Sequence, residues 1–423
     1  MGSLVSDLEF RGLWHQAAGA SLAQRLESER LTAYIGFDPT ADSLHVGNLL
    51  QLCMLRRLQQ AGHRPIAVAG GVTGMIGDPG GKSEERSLLS DERLKANLQG
   101  IRPQIERFVD LGGGGGLLLD NAQWLRGLTL VDFLRDIGKH LAVNEMIRKD
   151  SVSARLERAE QGISYTEFSY MLLQAYDFLH LFDHHDCRLQ LGGSDQFGNI
   201  TVGIELVRKM RQVEVYGLTS PLVLKADGSK FGKTESGTVW LDPRRTSPYA
   251  LYQFFLRTED DLVGRYLRFF SFLEHDELLA LEQVTAAHPE RRQAQRVLAR
   301  ELCALVHGAD DAARAEHASE ALYSEAIASL DESTLLEVCA EAPTSTWPRT
   351  GLDEGVALVD LLASSGLSGS KSQARSAVTQ GGVYVNNQRV TGLDAHLGRD
   401  DLLFDRYVVL RRGRREYHLV RFE

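Results

Sequence analysis

The stretch that decides the fold is Ile35-Gly36-Phe37-Asp38-Pro39-Thr40-Ala41-Asp42-Ser43-Leu44-His45-Val46-Gly47-Asn48. An apolar run over residues 31–37 predicts a buried strand, and the apolar residues that follow Asn48 predict a helix. A strand that leads into a helix N-terminus favours anion binding, because free backbone N–H groups and the helix dipole point at one spot. His45 and Asn48 would add side-chain donors there, and Gly47 would let a flat base or a ribose approach the backbone.

Apolar segments alternate with helical patterns through the first 246 residues. Strands are predicted at 65–69, 117–119, 187–191 and 218–224, and helices at 101–109, 128–156 and 164–181. Residues 1–30 predict one leading amphipathic helix. Strands that alternate with helices indicate a parallel sheet of the Rossmann type, so the fold class is α/β.

The pattern changes twice after residue 246. Residues 247–342 predict helices only, and residues 343–355 contain two prolines and predict a linker. In the last segment, 356–423, Ser370 and Gln373 predict a capped helix that stops before Gly381. The pair Asn386-Asn387 then predicts a tight turn between two short strands.

Composition narrows the class of protein. The chain has 423 residues, 43% of them apolar and 25% charged, as in ordinary globular proteins of two or three domains. A run of 18 apolar residues is absent from the sequence, so a membrane span is not expected. The four cysteines lie far apart, so we expect buried thiols in a reducing cytoplasm and no zinc site.

The charge is distributed unevenly. Residues 356–423 contain ten Lys and Arg and seven Asp and Glu, which gives this segment a charge of +3. Since the whole chain has a net charge of −10, the other 355 residues carry −13. Lys371 and Arg375 lie four positions apart, which places them on one helix face. A basic segment on an acidic protein indicates a polyanionic partner such as RNA.

Glycine-rich segments and a polar helix face suggest a small-molecule pocket. The run from Gly70 to Ser83 fails the spacing of a phosphate-binding P-loop, so we interpret it as a loop that lines a pocket. Its Asp78 would bind an amino group, while Lys82 and Arg86 would supply mobile cations. Three side chains share a face of the predicted helix 164–181, and two more follow the strand 187–191: Tyr170, Gln174, Asp177, Asp195 and Gln196.

Each of these patterns has a plainer alternative. The polar helix face could be solvated, and Asp38-Pro39-Thr40 could be an ordinary turn before a helix. A single His-x-Gly or Lys-x-x-Lys is common by chance. The glycine run 112–116 has no flanking cation and is interpreted as a loop. The order and setting of the patterns together favour a functional site.

Together the motifs resemble a known family. His45-Val-Gly-Asn48 and Lys230-Phe-Gly-Lys-Thr234 resemble the HIGH and KMSKS signatures of class I aminoacyl-tRNA synthetases. With Tyr34, the segment 70–79, Tyr170-Met-Leu-Leu-Gln-Ala-Tyr-Asp177 and Gly192-Gly-Ser-Asp-Gln196, the whole chain is similar to the bacterial tyrosyl-tRNA synthetase family. Asn48 replaces a second histidine, and Ile35 offers no polar contact to a ribose.

The resemblance implies domains, roles and a reaction. It implies a catalytic domain over 1–246 with a dimer-interface insertion, an anticodon-arm domain over 247–342, and an RNA-binding domain similar to the S4 module over 356–423. It implies that the enzyme activates L-tyrosine with ATP and Mg²⁺ and then transfers the tyrosyl group to tRNA(Tyr). It also implies a cytoplasmic homodimer that holds no structural metal. The implied tyrosine-binding residues are Tyr34, Asp78, Tyr170, Gln174, Asp177 and Gln196; the implied ATP-binding residues are Asp38, Thr40, His45, Gly47, Asn48, Gly193, Asp195, Lys230, Lys233 and Thr234; the implied catalytic residues are Thr40, His45, Lys82, Arg86, Lys230 and Lys233; and the implied RNA-binding residues are Lys371 and Arg375.

Three competing functions remain open at this point. A tryptophanyl enzyme shares the fold and both signatures, but it has no need of a hydroxyl–carboxylate pair for a phenol. A nucleotidyltransferase with the first signature has no use for the helical and basic domains. An RNA-binding protein descended from a synthetase would keep the tail and lose the chemistry, whereas Thr40, His45, Lys230 and Lys233 are all present.

Overall fold

A computed structural model describes residues 2–78, 89–113, 115–149, 152–153, 156, 163–225, 227–229, 231–234, 237–321, 324–340, 342–413 and 416–423; for Lys233 and Thr234 it describes only the backbone. The chain forms two compact units. The first contains Met1–Ser247 and Phe255–Val306, and the second contains Pro248–Phe254 and His307–Glu423. The division differs from the sequence prediction, because residues 255–306 belong to the unit that contains the large sheet.

A six-stranded sheet forms the centre of the first unit. Its spatial order is β1-β6-β5-β2-β3-β4, and the five strands from β6 to β4 run parallel, as predicted. The order reverses between β2 and β5, which in doubly wound sheets marks the site of ligand binding. The strands are β1 (Gln16–Ala18), β2 (Thr32–Phe37), β3 (Arg64–Ala69), β4 (Leu117–Asp120), β5 (Cys187–Gly193) and β6 (Tyr216–Ser220).

Helices cover this sheet and continue beyond it. They bury an apolar core that contains Tyr34, Ile66 and Phe178. The helices of six or more residues in the first unit or entering it are Leu4–Phe10, Leu22–Ser28, Leu49–Gln60, Asp91–Glu106, Tyr165–His185, Phe197–Arg211, Pro248–Leu256, Asp260–Phe270, His275–Ala287 and Gln293–His307.

Two helix predictions in this unit are wrong. Residues 1–30 form two helices separated by β1, which pairs antiparallel with β6, because sheet pairing overrides the local helical pattern. Residues 128–156 do not form one long helix. The described part is divided into short turns at Leu130–Asp132, Phe133–Ile137, Gly138–His140 and Val143–Ile147. Their apolar side chains therefore do not form one continuous buried stripe.

The second unit has its own sheet and core. Five strands lie in the order Gln388–Val390, Val383–Val385, Tyr407–Arg412, Glu416–Phe422 and Thr344–Trp347. The predicted helix is present as Lys371–Thr379, with the Ser370 side chain accepting from the Gln373 N–H. Asn386 and Asn387 have φ of 49° and 63°, which gives the predicted tight hairpin. The unit's other helices of six or more residues are Ala309–Ala321, Glu332–Val338 and Leu358–Ser364.

The linker prediction for residues 343–355 is wrong. Thr344–Trp347 is an edge strand that pairs in parallel with Glu416–Phe422, and the apolar core extends from Ala318 to Leu419 across the predicted boundary. The two prolines that flank this strand suit an edge position, where an N–H group is not needed on both sides.

The expectation of buried thiols is consistent with the structure. All four cysteines are free and buried. Within the described part of the chain, every helix is too short or too polar to cross a membrane.

Candidate active site

The predicted polar residues meet at the carboxyl edge of the six-stranded sheet. Asp38 follows β2, Gly70 follows β3, Asp120 ends β4, and Asp195 lies in the short turn after β5. Since β2 to β6 are parallel, these strand ends share one edge. This edge therefore brings Asp38, Asp195 and the segment that begins at Gly70 to one side of the sheet.

Asp177 is the most deeply buried acid of this site. It lies on helix Tyr165–His185 with 4% of its surface exposed, and it accepts hydrogen bonds from Asn121 Nδ2 at 3.0 Å and Trp124 Nε1 at 2.7 Å. Burial raises the pKa of Asp177 to about 7, and the two hydrogen bonds oppose that rise. Burial therefore disfavours the charged form of this carboxyl group.

The Tyr34 hydroxyl lies in the same buried region. Within the described part of the chain it has no hydrogen-bond partner, and its ring packs 5.4 Å from that of Phe178. Burial, and then the charge of Asp177, raises the pKa of Tyr34 well above its usual value. A buried, unsatisfied hydroxyl beside a carboxylate indicates a site that awaits a polar ligand group.

Asp38 lies in a second group of hydrogen bonds. Its carboxylate accepts from Thr73 Oγ1 at 3.0 Å and from the Tyr170 hydroxyl at 3.3 Å. Asn121 Nδ2 also donates to Thr73 Oγ1 at 2.9 Å, which connects this group to Asp177. A Cβ atom at Gly70 would come within 2.1 Å of Asp38 Oδ1, so this close approach requires glycine.

Amide side chains join the remaining predicted tyrosine-binding residues. Gln174 Nε2 donates to Gln196 Oε1 at 3.2 Å, and Gln196 Nε2 donates to Asp78. Asn199 Nδ2 donates to Gln174 Oε1 at 3.1 Å. With Tyr170 and Asp177 buried beside these groups, the solvated-face alternative for this helix is wrong.

His45 caps the turn Val46–Asn48 within the first signature. Its Nδ1 accepts from the Gly47 N–H at 3.0 Å, and Asn48 Oδ1 accepts from the His45 N–H at 3.1 Å. The N–H groups of Val46 and Asn48 donate to the carbonyls of Val239 and His45. The prediction of free backbone N–H donors at this turn is therefore wrong, because all four groups are already paired. The donors that could face a phosphate are His45 Nε2 and Asn48 Nδ2.

The two signature segments are neighbours in space. A Cβ atom at Gly232 would lie 2.5 Å from Val46 Cγ2 and 3.5 Å from the Gly47 nitrogen. Val239 connects them, since its N–H donates to the Gly232 carbonyl and its carbonyl accepts from Val46. Lys233–Thr234 then pairs with Gly237–Thr238 as a short antiparallel ribbon.

The structure describes some of the remaining predicted residues and not others. The Thr40 N–H donates to the Asp38 carbonyl at 2.8 Å, and a Cβ atom at Gly193 would lie 2.6 Å from Asp195 Oδ1. Ile35 is buried, with 2% of its surface exposed. Lys82, Arg86 and Lys230 lie outside the described residues, as do the side chains of Lys233 and Thr234.

Sequence analysis missed four polar members of the site. Asn121 follows β4, so the rule that found Asp38 and Asp195 would also have found it. Thr73 lies four residues after β3 in the segment already selected. Trp124 and Asn199 had no signal of their own, because only the folded helices bring them to Asp177 and Gln174.

The site brings several kinds of polar group together. Among the described residues, no group of three His, Cys, Asp or Glu side chains could hold a metal ion. The site combines a buried phenol–carboxylate pair, a ring of amides and acids, and a histidine beside the loop whose sequence contains Lys230 and Lys233. Such a site can bind and orient a small polar molecule beside a phosphate donor.

Comparison with known proteins assigns the family. The profile of the "tRNA synthetases class I (W and Y)" matches residues 26–324, and that of the "Tyrosine--tRNA ligase SYY-like C-terminal domain" matches residues 339–420. The chain is 52% identical to the Roseiflexus castenholzii tyrosine–tRNA ligase over 100% of both chains, and 49% identical to that of Bacillus caldotenax over 99% of both. A C-terminally truncated Aspergillus nidulans mitochondrial tyrosyl-tRNA synthetase has a TM-score of 0.68 and 34% identity, over 76% of this chain and 95% of that one.

The chain therefore belongs to the class I tRNA synthetases of the tryptophan and tyrosine type. Within that class, its full-length relatives are bacterial tyrosine–tRNA ligases, and the resemblance predicted from the sequence is confirmed.

Proposed function

We propose that this enzyme is a tyrosine–tRNA ligase: it activates L-tyrosine with ATP, releases pyrophosphate, and transfers the tyrosyl group to the 3′ end of tRNA(Tyr). The observation that carries this function is the buried pair of Tyr34 and Asp177. A phenol can donate to the Asp177 carboxylate and accept from the Tyr34 hydroxyl, which satisfies both buried groups at once.

The rest of the substrate fits the remaining polar groups. Asp78, Tyr170 and Gln174 would hold its ammonium group, and Gln196 would orient its carboxylate. The hydrogen bonds Gln174–Gln196 and Gln196–Asp78 support this assignment, because they hold these side chains together. Asp38 would bind the ribose of ATP. Its carboxylate already accepts from Thr73 and Tyr170, and a carboxylate has lone pairs for a further donor.

ATP would lie between the two signature segments. Gly193 and Asp195 would bind the ribose, Gly47 would lie against the nucleoside, and Asn48 would donate through its amide. Thr40, His45, Lys82, Arg86, Lys230, Lys233 and Thr234 would contact the phosphates, with Mg²⁺ arriving bound to ATP. The contact between Gly232 and Val46 supports this arrangement.

The reaction needs alignment and charge stabilisation. A tyrosine carboxylate oxygen attacks the α-phosphorus of ATP, the P–O bond to pyrophosphate breaks, and tyrosyl-adenylate forms. His45 Nε2 and the lysine ammonium groups would stabilise the charge that develops on the phosphates. The ribose hydroxyl at the tRNA 3′ end then displaces AMP from the activated carboxyl.

The second unit offers an RNA surface. Lys371 and Arg375 lie on one helix, and Lys371 Nζ pairs with Asp360 at 2.8 Å. On three neighbouring strands, Tyr384 pairs with Arg389 on one side and with Arg411 on the other. The Arg411 guanidinium lies over the Tyr384 ring, 3.7 Å from the ring centroid. Basic side chains interleaved with an aromatic ring suit phosphates and unstacked bases.

A homodimer is the proposed assembly. Apolar side chains on the short turns between residues 130 and 147 are exposed to solvent by 41–73%: Leu130, Val131, Leu134, Val143 and Ile147. An apolar patch of this kind marks an interaction surface. We place the enzyme in the cytoplasm, where its four free thiols would stay reduced.

The competing functions fit less well. An indole has no hydroxyl group to pair with Tyr34, so a tryptophan substrate would leave that hydroxyl buried and unsatisfied. An RNA-binding protein without catalysis would have no use for the ordered contact between the two signature segments.

If Tyr34 and Asp177 bind the phenol, substituting either residue should weaken tyrosine activation, and by different amounts. Tyr34→Phe removes one neutral hydrogen bond and should weaken tyrosine activation by about 0.5–1.5 kcal/mol. Asp177→Ala removes a buried acceptor together with its charge and should lose several times more. ATP–pyrophosphate exchange with tyrosine and with phenylalanine measures both, and Tyr216→Phe and Asp183→Ala, at sites outside the pocket, are the controls. An unchanged tyrosine-over-phenylalanine preference in both pocket variants would show that the phenol binds elsewhere.

If the second unit binds RNA, substitutions on its basic helix should affect only tRNA charging, and the effect should depend on salt. The double variant Lys371→Gln/Arg375→Gln should raise the KM for tRNA and lower the salt dependence of binding by about one to two phosphate contacts. Tyrosyl-adenylate formation should stay unchanged. Arg399→Gln, which removes a cation paired with Asp353 at 2.6 Å, is the control. If the control and the double variant affect charging equally, the helix is not an RNA contact.

The dimer proposal predicts a species of twice the 46.9 kDa chain mass in sedimentation at micromolar concentration. Leu130→Asp/Val131→Asp should shift it toward monomer, because two charges would enter the apolar interface. Leu279→Asp is the control. Leu279 lies outside the patch, its side chain is about as exposed as that of Leu134, and the variant should leave the dimer intact. A monomeric wild-type protein would refute the proposal.

A further inference from the structure

Tyr266 connects both ends of the lysine loop. It lies on helix Asp260–Phe270, with 3% of its surface exposed. Its hydroxyl donates to the Leu224 carbonyl at 2.9 Å, and its ring meets the Phe231 ring edge-on at 5.0 Å. Leu224 and Phe231 flank the segment 225–230, so a single side chain holds the entrance and the exit of the loop that carries Lys230.

The exit of the loop is fixed by a cluster of aromatic rings. Phe231 is buried and stacks on Phe270 at 5.6 Å with an interplanar angle of 21°. The next residue, Gly232, lies against Val46 of the first signature. The position of Phe231 therefore sets how close the loop lies to the His45 segment.

Helix Asp260–Phe270 is also attached to the helix that follows the first signature. Cys53 Sγ donates to the Phe270 carbonyl at 3.5 Å, and the buried Arg57 guanidinium donates to the Ser271 carbonyl. Cys53 and Arg57 both lie on helix Leu49–Gln60. The two signature segments are thus held by one common element.

The entrance of the loop has little packing of its own. Leu222 and Leu224 are exposed by 49% and 40%, and with Tyr266 they border a cavity of about 960 Å³. Burial raises the pKa of Tyr266 to about 12, so its hydroxyl remains protonated and able to donate at neutral pH. The hydrogen bond from Tyr266 is therefore a specific restraint on this end of the loop.

We propose that Tyr266 is a positioning residue for tyrosyl-adenylate formation, which acts by fixing the lysine loop against the His45 segment. The proposal rests on the proposed function, in which Lys230 and Lys233 stabilise the leaving pyrophosphate. Tyr266 itself would touch neither ATP nor tyrosine. Its contribution is to hold Leu224 and Phe231, on either side of the segment 225–230, in place before the transition state forms.

The test is Tyr266→Phe, which removes the hydroxyl and keeps the ring against Phe231. The rate constant for tyrosyl-adenylate formation at saturating tyrosine and ATP should fall about two- to twelvefold, the loss expected for one neutral hydrogen bond. The dissociation constant for tyrosine without ATP should not change, because the phenol pocket is untouched. Tyr216→Phe, whose hydroxyl contacts Ser21 and Glu214 at the edge of the sheet, is the matched control and should show neither effect.

A double-variant cycle separates this proposal from the proposed function. In a Lys230→Ala/Lys233→Ala background, Tyr266→Phe should cause little further loss, because the loop position matters only through its lysines. Equal losses in both backgrounds, an unchanged rate constant in Tyr266→Phe, or weakened tyrosine binding would each overturn the positioning role. If Lys233→Ala alone leaves adenylate formation unchanged, the assigned role of that lysine fails instead.

Discussion

The buried carboxylate of Asp177 is the constraint on which the rest of the site depends. A charge in an apolar core is unfavourable unless donors surround it, and here Asn121 and Trp124 donate from the end of β4 and the turn that follows it. Those two donors only partly offset burial, which leaves the pKa of Asp177 at about 7. Asp177 is therefore an acid that gains from one more hydrogen-bond donor, and in the proposed function the phenol of tyrosine supplies that donor.

A connected set of hydrogen bonds links Asp177 to other polar residues of the site. Asn121 bonds both Asp177 and Thr73, and Thr73 bonds Asp38, so the ends of β2, β3 and β4 are linked by side chains as well as by the sheet. On the other side of the site, helix Asp260–Phe270 holds the lysine loop and the first signature together. In the proposed function, the hydrogen-bonded strand ends bind the amino acid, and the two signature segments bind the phosphates beside it.

Much of the sheet and the pocket could be predicted because the signals are local. Apolar runs that end in Asp38, Asp195 or Asp120 identify strand ends, and the spacing of Tyr170, Gln174 and Asp177 identifies one helix face. The edge strand at 344–347 and β1 could not be predicted, because their pairing partners lie 75 and about 200 residues away along the chain. The paired N–H groups at His45 were missed for a different reason: the histidine ring itself caps the turn, and a sequence pattern does not show the direction of a side chain.

Calorimetry of tyrosine binding near pH 7, in buffers of different ionisation enthalpy, tests the central claim most directly. In the free enzyme burial raises the pKa of the Asp177 carboxyl to about 7, and a bound phenol that donates to it lowers that pKa. The account predicts net proton release when tyrosine binds at pH 7, with less release at pH 8, where more of the carboxyl is already ionised. Binding without proton release between pH 6 and 8, or with proton uptake, would contradict the assignment of Asp177 as the buried acceptor of the phenol.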